Sequence, residues 1–373
     1  MKSLIISLIL YTSITASAGE KLSDIRSSVN NLQTKDSINE QYRHLEKAVE
    51  RYEKLKTEPW PTISLSAKIT YKLNDKAPVI KEIKQRLDLL GDFRGNEDSE
   101  LFNQKLETAV KKFQFRHGLE ETGIINASLV KQLNIPLETR ISQLRLNMER
   151  VLKEGQENPG THIVANIPEY KLHVYEGNRE VLSMDIVVGK TSNPTVVFSD
   201  QLEQVVFSPY WNIPESIVRN EILPAMKKNP RYLKIHNMEV IGTKNGLPDI
   251  RQLPGPKNAL GKVKFLFPNK YNIYFHDTPV KSLFEKRTRA FSHGCIRLSQ
   301  PFELAKFLLK DDPKWTDAAI QSAMNSRKER YVTLNQPVPV SISYYTAWVD
   351  GSGNIHFRDD IYGRDKRMIS FDE

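Results

Sequence analysis

A chain of 373 residues is long enough for two or three hydrophobic cores at roughly 150 residues each. Its formal net charge of +9 favours anionic partners: nucleic acid, acidic phospholipid or a carboxylate-rich polymer. The single cysteine excludes a disulfide scaffold and a multi-thiolate zinc site.

Taken in chain order, residues 1–18 read as an export signal. Lys2 gives the positive start, Leu4 to Ile14 form an apolar run too short to span a bilayer, and Ala16-Ser17-Ala18 is a small-residue cleavage site. Cleavage after Ala18 removes Lys2 and leaves +8 (9 − 1). No later stretch approaches a membrane span, so a mature chain without an integral span, outside the cytoplasm, is expected. Export argues against nucleic acid as partner.

Residues 19–75 are predicted as a helical scaffold segment, with Leu45, Val49 and Tyr52 at helical spacing. Pro59-Trp60-Pro61 interrupts it, with Trp60 as a packing anchor. Residues 76–135 form a compact three-helix module: Ile83, Leu87 and Leu90 stack up to a capping Gly91, Leu106 to Phe113 repeat the pattern, and Ala127 to Leu133 close it. A linker helix follows over 136–160, carrying Ile141, Leu144, Met148 and Val151 on one face.

From 161 to 373 the period shortens to two, which predicts a β-rich domain. Glu176-Gly177-Asn178 is its first hairpin turn. Gln204 to Phe207, Lys264 to Phe267 and Tyr271 to Phe275 are further strands, and Pro301 to Leu309 is a helix. Residues 209–256 are proline-rich and irregular around a helix at Ser216 to Lys228, as an inserted lid would be. Residues 334–373 read as closing strands joined by Asp350-Gly351-Ser352-Gly353. The fold class is α+β: helical scaffold and module first, β-rich domain after.

The chemistry concentrates at Phe291-Ser292-His293-Gly294-Cys295-Ile296-Arg297. An unpaired cysteine in an exported protein is a liability unless its reactivity is used. A cysteine attacks an acyl carbon as thiolate, so it needs an imidazole to take its proton and an acceptor to hold that imidazole's tautomer. His276 ends a strand nineteen residues before Cys295 and can approach from a neighbouring strand. His293, two residues from Cys295, reaches the sulfur poorly and reads as a structural or relay partner. His276 is therefore the predicted general base and Cys295 the nucleophile. Gly294 lets backbone amides face a substrate, and Ser292 shares the same loop.

These residues carry two resemblances. Residues 83–93 with 106–135 are similar to the three-helix peptidoglycan-binding domain of cell-wall enzymes. Tyr274-Phe275-His276-Asp277-Thr278 followed by Ser292 to Arg297 resembles the signature of YkuD-type L,D-transpeptidases. Pro209 to Pro214, Leu253 to Asn258, Thr346 to Val349 and Arg358 to Gly363 fit the branch with an inserted lid. The likeness implies that Cys295 attacks a stem tetrapeptide, expels D-alanine and forms a thioester that an amine resolves into a 3→3 cross-link. It implies that the Gly294 and Cys295 amides hold the oxyanion and that the backbone of Asp277 orients His276. Tyr274, Arg297, Ser292 and His293 would contact substrate, Trp211 would line the cleft from the lid, and carbapenems would acylate the thiol. No cofactor is implied, and a cell-wall synthase is the protein partner it suggests.

Four rivals remain at this point. Water in place of the amine gives an L,D-carboxypeptidase or endopeptidase, or the acceptor is a lysine of an outer-membrane protein. A zinc site of His276, His293 and Cys295 suffers from poor His-x-Cys spacing for tetrahedral ligation. A non-enzymatic wall-binding protein rests on the helical module alone.

Overall fold

The computed structural model describes residues 40–65, 70–154 and 159–367. The predicted export signal lies outside the described residues, and among those described no helix is long and apolar enough to cross a membrane.

The first part is helical: α1 (Glu40–Leu55), α2 (Pro78–Leu89), α3 (Gln104–Arg116), α4 (Ala127–Leu133) and α5 (Leu137–Glu154). Local chemistry sets their ends. Pro78 opens α2, where the missing N–H costs nothing. The Asn103 and Asn126 side chains accept the Leu106 and Leu129 amides at 3.0 Å, capping α3 and α4. Trp60 is an anchor, with the Arg86 guanidinium 3.6 Å over its ring. Leu45 and Tyr52 of α1, Ile83 of α2, Phe113 of α3 and Leu144 of α5 share one core. The scaffold segment, module and linker helix thus pack as one body, because each helix has a single apolar stripe that only the others can cover.

The second part begins with β1 (Thr161–Asn166), β2 (Lys171–Glu176), β3 (Arg179–Gly189) and β4 (Phe198–Phe207). The insert holds β5 (Trp211–Asn212), α6 (Glu215–Ile217), a π-helical turn (Val218–Ile222), α7 (Leu223–Lys228), α8 (Tyr232–Ile235), β6 (Met238–Lys244) and β7 (Leu247–Gln252). Then come β8 (Val263–Leu266), β9 (Phe275–His276), β10 (Ala290–Ser292), β11 (Ile296–Leu298), α9 (Pro301–Leu308), α10 (Asp317–Asn325) and β12 (Arg330–Ser343). The main sheet runs β10-β3-β11-β9-β8-β4-β12-β1-β2, and β2 pairs again with β3, so the sheet closes on itself. Its interior is filled by Ile163, Leu172, Ile186, Val205, Phe265, Phe275 and Ile296, all at 0 % exposure.

The insert differs from the irregular lid expected at 209–256. It has a three-stranded sheet, β5-β7-β6, and a small core of Ile213, Ile217, Val218, Ile222 and Ile250. Its two ends are stapled by buried Asn258, whose Nδ2 donates to Pro209 O and Leu253 O at 3.0 Å.

The closing strands of 334–373 also divide. Residues 334–343 belong to β12 in the main sheet. The two strands that follow, β13 (Ala347–Val349) and β14 (Ile355–Phe357), pair only with each other and bury Ala347, Val349, Ile355 and Phe357 in the helical core. Arg116, buried in an ion pair with Asp92, donates to Ile355 O at 3.1 Å. The reason is apolar surface: the helical core covers the face of this short hairpin that carries Ala347, Val349, Ile355 and Phe357, whereas β12 is already paired on both sides by β1 and β4.

Candidate active site

β9 and β11 are parallel neighbours with Phe275 level with Ile296 and His276 level with Arg297. One residue earlier the same ladder continues through Ile296 N to Tyr274 O at 3.2 Å. Side chains two apart along a strand share a face, and level residues on parallel strands share it too. Tyr274, His276, Cys295 and Arg297 therefore stand on one face. A strand spacing of about 4.8 Å and a two-residue rise of about 6.6 Å put the diagonal pair, His276 and Cys295, roughly 8 Å apart at Cα. That is a span the two side chains can bridge.

His276 is 4 % exposed, and its Nδ1 lies 2.5 Å from Asp277 O. A carbonyl only accepts, so Nδ1 carries the proton and Nε2 holds a lone pair. The Asp277 carboxylate is occupied elsewhere. Its Oδ1 accepts Thr278 N–H and Lys281 Nζ, both at 2.7 Å, and its Oδ2 accepts Lys262 N–H at 2.9 Å. Only the backbone of Asp277 meets the imidazole.

The cysteine loop is tied by its own polar groups. Ser292 Oγ donates to Cys295 O at 2.5 Å and accepts Gly294 N–H at 3.1 Å. Gly294 has φ +119 with open space where a Cβ would stand, so glycine is there for its backbone torsion. Its carbonyl accepts from Thr195 Oγ1 at 2.8 Å. The expected pair of oxyanion amides is thereby reduced. The Gly294 amide is spent on Ser292, whereas the Cys295 amide takes no hydrogen bond among the described residues.

Cys295 is half-buried, and its thiol donates to Asn272 O at 3.6 Å, not to His276. Burial raises the thiol pKa, opposed by hydrogen bonds from Tyr274 and by the Arg297 charge. Burial, then the Arg297 charge, pushes His276 down to about 3. The resting pair is thus a neutral thiol beside a neutral imidazole, with no ion pair. Burial and the adjacent Cys295 raise the Tyr274 pKa, so its hydroxyl stays a donor. Arg297 is desolvated, and its Nε is buried with no partner among the described residues. A guanidinium left in that state is a receptor for a carboxylate.

The other expected residues fall elsewhere. His293 is exposed, with Nε2 2.8 Å from Glu221 Oε1 on the insert, so it does not converge with His276 and Cys295 on a common metal position. Trp211 is half-buried against the insert's own core, and no described contact brings it to Cys295. Three residues here were missed from sequence. Asn272 (φ +54) supplies the carbonyl that holds the thiol. Thr195 holds Gly294, and Tyr362 donates to Gly189 O at 2.5 Å beside it. The Asn269-to-Asn272 turn was a readable signal for the first; the other two depend on contacts far apart in sequence.

Two family models match parts of this chain. Residues 160–317 match the YkuD family, described as "L,D-transpeptidase catalytic domain", and residues 76–133 match a "Putative peptidoglycan binding domain". A Haemophilus influenzae protein named "Putative L,D-transpeptidase" is 34 % identical over 248 residues, covering 62 % of this chain and 50 % of that protein. The chain thus spans half the length of this curated relative. Among solved structures, an L,D-transpeptidase from Stackebrandtia nassauensis is 13 % identical over 75 % of this chain and 97 % of its own, with a TM-score of 0.29. One from Mycobacterium smegmatis is 15 % identical over 49 % and 58 %, with a TM-score of 0.27.

Proposed function

We propose that this chain, which belongs to the YkuD family through its L,D-transpeptidase catalytic domain, cross-links peptidoglycan stem peptides through a Cys295 thioester. The observation that carries the reading is one sheet face bearing Tyr274, His276, Cys295 and Arg297, with His276 held as the Nδ1–H tautomer by Asp277 O.

The steps follow from those positions. The Cys295 side chain turns from Asn272 O toward His276, and its proton passes to Nε2 as Sγ attacks the carbonyl of the L-centre of the diamino acid. Backbone N–H at Cys295 receives the oxyanion. The carbon–nitrogen bond to D-alanine breaks, and the departing amine takes the proton from His276. A side-chain amine of a second stem then attacks the thioester, giving up a proton through His276 to the sulfur and leaving a 3→3 amide. Tyr274 and Arg297 position the donor, with Arg297 on a stem carboxylate. The insert serves as the lid that excludes water at the thioester, and His293 serves it through Glu221. The positive charge and the helical module fit a carboxylate-rich wall outside the cytoplasm, which the Lys2-to-Ala18 pattern supports.

Mass spectrometry of the mature protein incubated with disaccharide-tetrapeptide tests this. Release of D-alanine with a dimeric product is expected. Tripeptide without dimer would make water the acceptor and the protein a carboxypeptidase. No release from a protein whose Cys295 thiol is free would overturn the reading.

A further inference from the structure

Cys295 brings its own amide to the site, and that amide can point in only one of two directions. The Gly294–Cys295 peptide is planar and trans, so its N–H points away from its C=O. Fixing the Gly294 carbonyl therefore fixes the Cys295 N–H. The group that fixes it is Thr195, 99 residues away in sequence: its Oγ1 donates to Gly294 O at 2.8 Å. The same Oγ1 accepts Gly189 N–H at 2.9 Å, and Thr195 is 0 % exposed. A hydroxyl has one proton, and here the Gly189 amide fills its acceptor side. That proton is committed to Gly294 O.

We propose that Thr195 is a positioning residue for acyl transfer, aiming the Cys295 N–H at the developing oxyanion. The inference rests on the thioester reading of Cys295. Since Gly294 N–H is bonded to Ser292 Oγ at 3.1 Å, the Cys295 amide is the backbone donor at the sulfur itself with no partner among the described residues, and its direction decides how well the oxyanion is held. The bracket behind Thr195 is also built. Gly189 leaves no room for a side chain, since a Cβ there would stand 2.2 Å from Asn193 O and 3.1 Å from Gly294 Cα. Tyr362 closes it from the C-terminal tail: its hydroxyl donates to Gly189 O at 2.5 Å and accepts Thr195 N–H at 3.3 Å. The residues just before Tyr362 are tied to the helical part, with Gln132 Nε2 donating to Asp359 Oδ1 at 3.1 Å and Arg358 Nη1 to Arg116 O at 3.0 Å. The tail thus joins the helical body to the bracket that aims the amide.

The test separates two reactions of one sulfur. Acylation by p-nitrophenyl acetate passes through an oxyanion; alkylation by iodoacetamide does not. In full-length Thr195→Val the acylation burst of p-nitrophenolate is expected to slow by about 10–100-fold, since a donor is misaimed and not removed. The alkylation rate stays within about twofold, and Thr195→Ser restores the burst. Tyr362→Phe gives the same split with a smaller loss. An unchanged burst in Thr195→Val overturns the inference. So does an equal fall in burst and alkylation, which would mean general damage to the thiol, or a Thr195→Ser protein as slow as Thr195→Val. A wild-type protein that bursts with the ester but releases no D-alanine from tetrapeptide would sink the cross-linking reading and leave the role of Thr195 standing.

Discussion

The loop that carries Cys295 and the insert that faces it are held in opposite ways. In the loop, Ser292 Oγ, Gly294 N–H and the Gly294 carbonyl are each committed to a named partner, and the Ser292 and Thr195 side chains that hold Gly294 are buried. The insert has its own small core, is stapled at its neck by Asn258, and reaches the loop through the exposed His293–Glu221 pair. Reacting groups must hold their geometry within a fraction of an ångström, whereas a cover over a polymer substrate must let it in and out. On the proposed reading, rigidity sits where charge develops, and loose tethering where substrate passes.

The largest effect expected is Cys295→Ala: no D-alanine release and no acyl-enzyme mass, with wall binding by the helical module retained. A Cys295→Ala protein that still releases D-alanine would put the chemistry outside this loop altogether. His276→Ala comes next, slowing acylation by about 10²–10⁴-fold with the thiol still titratable. Equal rates in wild type and His276→Ala would hand the base role to another group.

The neutral resting pair gives a pH prediction. Because burial raises the Cys295 thiol, alkylation should keep climbing by about tenfold per pH unit beyond pH ~8.5. A plateau near pH 6 would instead reveal a thiolate–imidazolium pair. Stability moves in the acid range. His276, depressed to about 3, and His117, held well below its usual value by burial, stay neutral when folded and take up protons when unfolded. The unfolded state therefore binds more protons below pH ~6.5, and stability should fall from there toward pH ~3. Denaturant midpoints of wild type across this range, compared with His117→Phe, would show whether that slope belongs to these rings.

The same contrast separates what was legible in the sequence from what was not. Helical spacing and the turn at Glu176-Gly177-Asn178 are local patterns, and the elements formed close to where they lie. By contrast, the strand expected over Tyr271 to Phe275 is confined to Phe275–His276, because the chain turns at Asn272 with φ +54. The insert's sheet was hidden because β6 carries Val240 and Ile241 exposed at 51 % and 46 %, so it shows no inward-outward alternation. β13 and β14 read as strands but not as part of a helical core, since strand pattern says nothing about which surface covers it. The grip of Thr195 on Gly294 and of Tyr362 on Gly189 joins residues 99 and 173 apart, and hydroxyls in such positions look like any others in the chain. Sequence carries the proposed reacting groups more plainly than the groups proposed to aim them.

Two substitutions in the insert sharpen the comparison from its looser side. Ile250 is 0 % exposed in the insert's core, and Ile250→Ala should weaken that unit by about 2–5 kcal/mol. Turnover of tetrapeptide should drop while iodoacetamide alkylation of Cys295 holds steady; a parallel fall in both would make the insert part of the catalytic loop's support. Glu221→Gln is the smallest change. Its pair with His293 is 52 % and 40 % exposed at the side chains, and exposed pairs are worth about 0–1 kcal/mol. KM for tetrapeptide should therefore shift by up to about fivefold, the ratio that 1 kcal/mol sets, with the p-nitrophenyl acetate burst unchanged. If the burst fell as far in Glu221→Gln as in His276→Ala, the division between a fixed loop and a loosely tethered cover would be wrong, because a solvent-exposed contact would then be holding the reacting groups themselves.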